Sequence, residues 1–257
     1  MQNQEIQIAH LDLRSKENPN KTNESILVNE IKDIHVEHVS VSAEDKIVDT
    51  TRTGCKTIYL FISGTGKAVA GDNEYELVPE SILLPNNINS ITIKAAKTEA
   101  LHYLKISCKL STQDLLDLKE LPKENTQNLY YKKFEDCQSY VEPIKSPNTV
   151  SRTILSNKYI PRIAMGTVKT TGPDEVGEHE HPMLEQLFLG LSKNKCVVYA
   201  DDAKVDFPQY SLLHIPLGSR HWVTVDEKEI MYYVWMDFFL DKKGEEWLKT
   251  HIVNEEV

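Results

Sequence analysis

The sequence is short of positive charge, of cysteine and of long apolar runs, and each shortage removes a class of function. Lysine and arginine number 29 against 39 aspartates and glutamates, for a net charge of -10 over 257 residues. A nucleic-acid partner needs a basic face for its phosphates, so none is expected. Only four cysteines occur, Cys55, Cys108, Cys137 and Cys196, and no two form a CxxC pair. That spacing supports neither a disulfide framework nor a zinc–thiolate site, and it predicts reduced, structural thiols. No segment approaches the run of about 18 apolar residues that a membrane helix needs. The stretch MQNQEIQIAHLDLRSKENPN has neither a basic n-region nor an apolar h-region. No membrane span and no export signal are therefore expected, and the chain is read as cytoplasmic.

Extended helical patterns are also scarce. Short β-rich runs and turns fill most of the chain instead. From Thr57 to Asn87 an apolar run, Ile58 to Ile62, ends in Gly-Thr-Gly. Further runs at Lys67–Ala70, Glu74–Val78 and Ser81–Leu84 are each closed by a turn or a proline. This spacing predicts an antiparallel barrel or sandwich. The rhythm returns between Gln186 and Trp222. There Leu187–Leu191 matches Ile58–Ile62, and Leu212-Leu-His-Ile-Pro216 matches Ser81-Ile-Leu-Leu-Pro85. We read this as an internal duplication into two similar domains, 1–143 and 144–257. Two short helices are predicted. One spans Ser111–Leu118, behind a serine cap, and one spans Asp241–Ile252, packing Trp247 and Leu248 on a barrel.

The stretch GEHEHPMLEQLF, from Gly177 to Phe188, holds the chemistry. In an extended segment His179 and His181 face the same side, because side chains alternate with period two. Glu185 is too far along to join them by alternation alone, but a bend between Pro182 and Leu184 would bring it round. His221, in IPLGSRHW, lies on a later strand expected beside the first. Three imidazoles and a carboxylate would then meet at one point. They would hold a divalent metal with one net positive charge left at the site.

These residues resemble the motifs of the cupin superfamily. The first cupin motif, Gly, His-x-His, three or four residues, then Glu, is matched by Gly177, His179, His181 and Glu185. The second, Pro-x-Gly-x-x-His, is matched by Pro216, Gly218 and His221. The closing glycine and asparagine of the two motifs are replaced by Ser192 and Val225, positions of turns rather than of ligands. The resemblance implies an all-β chain of two tandem cupin barrels (double-stranded β-helix, or jelly roll) with a few short helices. It also implies one divalent transition metal per chain, iron, manganese, nickel or zinc, on His179, His181, Glu185 and His221.

The first repeat serves as a control. Aligned with the second, it has Thr50, Arg52, Lys56 and Ser90 where the ligands stand. Two cations facing one interior would repel a metal, so this barrel is expected to be metal-free and structural. His35 and His38 precede the barrel core and are read as surface residues, and His214 as a strand histidine. In MYYVWMDFF, Met231, Tyr233, Trp235 and Asp237 share one strand face. If that face is inward, Asp237 is a candidate general base beside Glu185. Gln186 is expected to face away.

The expected activity is metal-dependent: isomerase, lyase, hydrolase or dioxygenase. Its substrate would be a small polar metabolite, such as a sugar, sugar acid or hydroxy acid. A non-catalytic sensor and a storage-like protein are the alternatives. A small-molecule ligand and pairing into a homodimer are the expected partnerships.

Overall fold

The computed structural model describes residues 5–14 and 22–245, and these are built mostly of antiparallel strands in two compact units. One unit is Leu11–Cys137 with Lys158–Ile160. The other is Met1–His10, Gln138–Asn157 and Pro161–Val257. The boundary thus falls at 137/138 rather than 143/144, and the residues before Leu11 go with the second unit. The reason is a strand pairing. The first strand, β1 (Ile8–His10), lies antiparallel to a strand more than two-thirds along the chain, with Ile8 opposite Leu213. Next to it, the His214 N–H donates to the Gln7 carbonyl at 2.9 Å.

The first unit contains β2 (Thr22–Ile26), β3 (Ile34–Val41), β4 (Lys46–Thr50), β5 (Cys55–Ser63), β6 (Gly66–Ala70), β7 (Asn73–Leu77), β8 (Ser81–Leu84), β9 (Ser90–Ala95), β10 (Leu101–Lys109) and β11 (Tyr130–Lys133). They form a six-stranded sheet, β11-β8-β5-β10-β3-β2, and a four-stranded sheet, β4-β9-β6-β7. The alternation read from the sequence is plain in β6, where burial runs buried, exposed, buried, exposed, buried. Val39, Tyr59, Phe61 and Tyr103 from the large sheet meet Ile47, Leu77, Ile91 and Ile93 from the small one in a shared core.

The second unit adds β12 (Ser139–Tyr140), β13 (Val150–Leu155), β14 (Ile163–Thr171), β15 (Asp174–Glu180), β16 (Leu184–Gly190), β17 (Lys195–Ala200), β18 (Ala203–Pro208), β19 (Ser211–Ile215), β20 (Arg220–Val225) and β21 (Ile230–Phe239). Its sheets run β1-β19-β16-β21-β14-β13-β12 and β15-β20-β17-β18. Its core joins Val168, Phe188, Leu213 and Tyr233 to Val176, Val198, Phe207 and Val223. Both units are jelly-roll barrels, and their matching strand orders bear out the fold class expected from the duplication.

The register refines the internal alignment. Thr50 is paired with Ser90 across β4 and β9, as His179 is paired with His221 across β15 and β20. The ligand positions were therefore matched correctly. The proline match was not, because it slips by one residue. Ser81 corresponds to Ser211: each is buried and each hydroxyl donates to the carbonyl three residues back, Val78 at 2.6 Å and Pro208 at 2.7 Å. The interior cations expected in the first barrel are also absent. Arg52 is exposed in a loop. The buried Lys56 Nζ donates to Asn86 Oδ1 at 2.9 Å and to the Thr126 carbonyl at 3.3 Å. His38 is another correction: it is buried, 3.3 Å from His102 Nδ1 through its Nε2, whereas His35 is exposed as expected.

Helices are few and short. α1 (Thr112–Glu120) follows Ser111, whose hydroxyl accepts from the Asp114 N–H at 3.1 Å while Asp114 accepts from the Ser111 N–H at 2.8 Å. This is the capping box expected there. α2 (Lys123–Gln127) is a single turn and a half. Residues 242–245 are helical, and Trp247 and Leu248 lie outside the described residues.

One glycine leaves room for an aromatic ring. Gly166 on β14 faces Trp235 on β21, and a Cβ at 166 would sit 2.3 Å from the indole Cζ2 and 2.5 Å from the Arg152 carbonyl oxygen. The ring can move away; the backbone carbonyl in the same sheet cannot. Gly166→Ala is therefore expected to destabilise the protein by about 1–3 kcal/mol, the usual range for overpacking. Urea denaturation would show it, and an unchanged midpoint would exclude the close packing described.

Candidate metal centre

The centre is assembled by one strand pair. β15 and β20 run antiparallel, and their register shifts between Val176 and His179. At the shift Gly177 turns its N–H away from β20, to the Ile144 carbonyl at 2.8 Å. Past it, the pairing resumes with His179 directly opposite His221. His181 follows two residues later, on the same face, as alternation requires. The approach to His221 is set by the Pro216-Leu-Gly218 turn. There Gly218 takes a positive φ of 73°, and the Ser219 N–H donates to the Pro216 carbonyl at 3.1 Å.

The three rings converge. Centroid separations are 4.3 Å for His179 and His221, 4.9 Å for His179 and His181, and 5.4 Å for His181 and His221. One nitrogen from each ring lies within 4.8 Å of the others. Among the described residues this is the only such group of three or more possible ligands. Two tautomers follow from their partners. His179 Nδ1 donates to the Gly177 carbonyl at 2.7 Å, and His221 Nδ1 donates to the Ser219 carbonyl at 3.0 Å. Each Nε2 then carries a lone pair, the form that binds metal. Burial, and after it the neighbouring His179, pushes the His221 pKa down to about 3. His221 is thus a neutral ligand at neutral pH. Its Nε2 is buried with no hydrogen-bond partner among the described residues.

The carboxylate expected with these rings is elsewhere. On β16 the inward side chains are Leu184, Gln186 and Phe188, so Glu185 points to the other face. Its Oε2 lies 3.0 Å from His214 Nε2, which makes His214 a hydrogen-bond partner of Glu185 rather than an isolated strand histidine. The inward place belongs to Gln186, which the sequence reading turned away. The signal was present: four residues after His181 end at Gln186, and the cupin spacing admits four as well as three. The Gln186 Nε2 donates to Asp237 Oδ1 at 2.8 Å, and its Oε1 is buried without a partner among the described residues. A buried acceptor oxygen and a buried imidazole lone pair, both unpaired, suit a cation between them. The three imidazoles therefore fit a metal, and Gln186 rather than Glu185 is the polar side chain of β16 that faces their cavity.

Asp237 lies on the inner face, with Tyr233 and Trp235. Burial, opposed by the Gln186 hydrogen bond, raises its pKa to about 7. The surrounding cavity is about 560 Å³. A strap, residues 140–145, covers it and is pinned by Lys145 opposite Val176 and by the Gly177–Ile144 hydrogen bond. The strap ends where the Ser146 and Thr149 hydroxyls donate to Asp174 Oδ2, at 2.7 and 3.1 Å. The nearly buried Lys145 Nζ pairs with Glu142 Oε2 at 2.6 Å and donates to Ser151 Oγ at 3.1 Å. Of the other bulky residues considered, Phe188, Tyr233 and Trp235 line the cavity, whereas Trp222 stacks on Tyr199 at 4.6 Å.

No protein-family model matches the sequence, and no curated protein sequence does. Solved structures resemble it in fold. A cupin 2 conserved barrel domain protein from Leptotrichia buccalis aligns with a TM-score of 0.62 at 14% identity, over 92% of this chain and 98% of that one. The protein Ylba from E. coli gives 0.67 at 11% identity, over 91% and 90%. An oxalate decarboxylase from Lactobacillus farciminis, in a formate complex, gives 0.64 at 10% identity, over 95% and 90%. Identities this low carry the fold alone, and the fold is that of cupins. Among the described residues, no helix is long and apolar enough to cross a membrane.

The two candidate carboxamide and carboxylate ligands separate cleanly by mutation. Gln186→Ala is expected to lower affinity for an added divalent metal by about tenfold or more, and Glu185→Ala to leave it within about threefold. Competition against a chromophoric chelator measures both. The reverse order would restore Glu185 as the ligand.

Proposed function

We propose that the second barrel binds one divalent transition metal and that the chain is a metal-dependent enzyme for a small metabolite with oxygen donors. The observation that carries this reading is the convergence of His179, His181 and His221, with the lone pair of His221 buried and unpartnered, at the wall of a covered cavity. His179, His181, His221 and Gln186 would hold the ion. When bound, such an ion supplies Lewis acidity to a carbonyl, carboxylate or hydroxyl oxygen of the substrate.

The remaining roles belong to the chain itself. The Gly177 and Ser219 carbonyls hold two imidazoles in the ligating tautomer. Gln186 joins the donor set to Asp237, so a change at one is felt at the other. Asp237 is the carboxylate on the inner face of the barrel strands and is the group we assign to proton transfer. The strap Tyr140–Lys145 forms one wall of the site, with Ile144 held to Gly177 through a backbone hydrogen bond. The first barrel has no corresponding ligands at Thr50 and Ser90, and we assign it a structural role.

Metal analysis tests the proposal. The full chain, purified in the presence of manganese or zinc, is expected to hold about one equivalent per chain, and His221→Ala to hold none. Two equivalents, or none after supplementation, would overturn it.

A further inference from the structure

The cavity has a character that the sequence did not suggest. Its apolar lining includes Val168, Val176, Phe188, Val223 and Trp235, and Phe188 stands edge-on to His221. A sugar bound there would leave hydroxyls against apolar carbon, and each unpaired buried hydroxyl costs on the order of 1–3 kcal/mol. An apolar body gains instead, at about 25 cal/mol per Å² removed from water. The volume, about 560 Å³, also exceeds what a two- or three-carbon acid fills.

The charge is equally specific. With Gln186 in place of a glutamate, the donor set is neutral, so a bound dication keeps both charges. Glu142 and Lys145 offset each other through their ion pair. Positive charge is therefore left over in a buried site, where charges need partners. A carboxylate on the ligand supplies one.

The apolar wall is built, not incidental. Gly166 lets the Trp235 indole lie back over β14, where a side chain at 166 would push it into the cavity. At the corresponding pair in the first barrel, Glu37 stands opposite Lys105. There the interior is filled: Lys105 Nζ pairs with Asp49 at 2.6 Å, and the Tyr59 hydroxyl donates to the same carboxylate at 2.9 Å. One repeat has its interior plugged by an ion pair and a tyrosine, whereas the other keeps an apolar cavity beside its histidines.

We propose that the ligand of this site is a monoanionic chelating acid, a 2-hydroxy or 2-oxo carboxylate, whose side chain is apolar and about the size of an aromatic ring. This rests on the metal reading above. The carboxylate and the adjacent oxygen face the donor set. The side chain lies against Phe188, Val223 and Trp235.

Calorimetric titration of the manganese-loaded full chain tests it, using lactate, 2-hydroxyisocaproate and 3-phenyllactate against glycerate and gluconate. Affinity should rise about fourfold per buried methylene. From lactate to 2-hydroxyisocaproate, three carbons longer, this amounts to about sixtyfold. Glycerate and gluconate should bind no more tightly than lactate. Trp235→Ala should lower affinity for 3-phenyllactate at least tenfold and affinity for lactate by clearly less. Val223→Thr keeps the valine shape and should narrow the gap between 3-phenyllactate and glycerate even if the tryptophan variant misfolds. A flat series, tighter binding of the polyhydroxy acids, or no binding of any acid would overturn the proposal. Metal-free protein that binds 3-phenyllactate as tightly as the loaded protein would instead overturn the metal reading and leave the apolar wall standing.

Discussion

The site depends on one cross-strand pair. His179 and His221 face each other because β15 and β20 come back into register after the irregularity at Gly177. That irregularity is held by a single backbone hydrogen bond to Ile144 on the strap. Ladder register, ring tautomers and cavity cover are therefore linked. The carbonyl that orients His179 belongs to Gly177, and the amide that anchors the strap belongs to the same residue. A one-residue slip of β15 would send His179 and His181 to the outer face, and a one-residue slip of β20 would send His221 there. The three imidazoles are fixed by backbone geometry, which is stiff, more than by their own side-chain contacts.

How much of this was legible in the sequence follows from the range of each signal. His179, His181 and His221 were legible because two residues apart on a strand share a face and because the second motif ends on a turn of known shape. The parity of β16 was not. Pro182 and Met183 break the ladder, and after a break the phase of alternation restarts from where the next strand begins. Whether Glu185 or Gln186 points inward then depends on the pairing of β16 with β21, which sets Gln186 opposite Asp237. Pairing of this kind has no local signature. The same holds for β1, a three-residue strand that completes the second barrel from the other end of the chain. Lys56 and His38 were misplaced for a related reason. A charged or polar side chain can be buried wherever partners meet it, and Asn86, Thr126 and His102 come from distant segments.

The two barrels show how little of the frame a site requires. Their sheets share strand order, and Tyr59 and Tyr103 of the first stand where Phe188 and Tyr233 stand in the second. What differs is how the interior satisfies itself. In the first barrel the partly buried Lys105 and Asp49 pair with each other and Tyr59 donates to the same carboxylate, with no imidazole cluster beside them among the described residues. In the second, the amide of Gln186 spends its N–H on Asp237 and keeps its oxygen unpaired, and His221 spends one nitrogen on a carbonyl and keeps the other unpaired. Unpaired acceptors in a dry interior are unfavourable until a cation arrives. The second barrel therefore holds nitrogen and oxygen acceptors unpaired at a cost in stability, and these acceptors, grouped with two further imidazoles, are the physical ground for proposing binding in that repeat and support in the other.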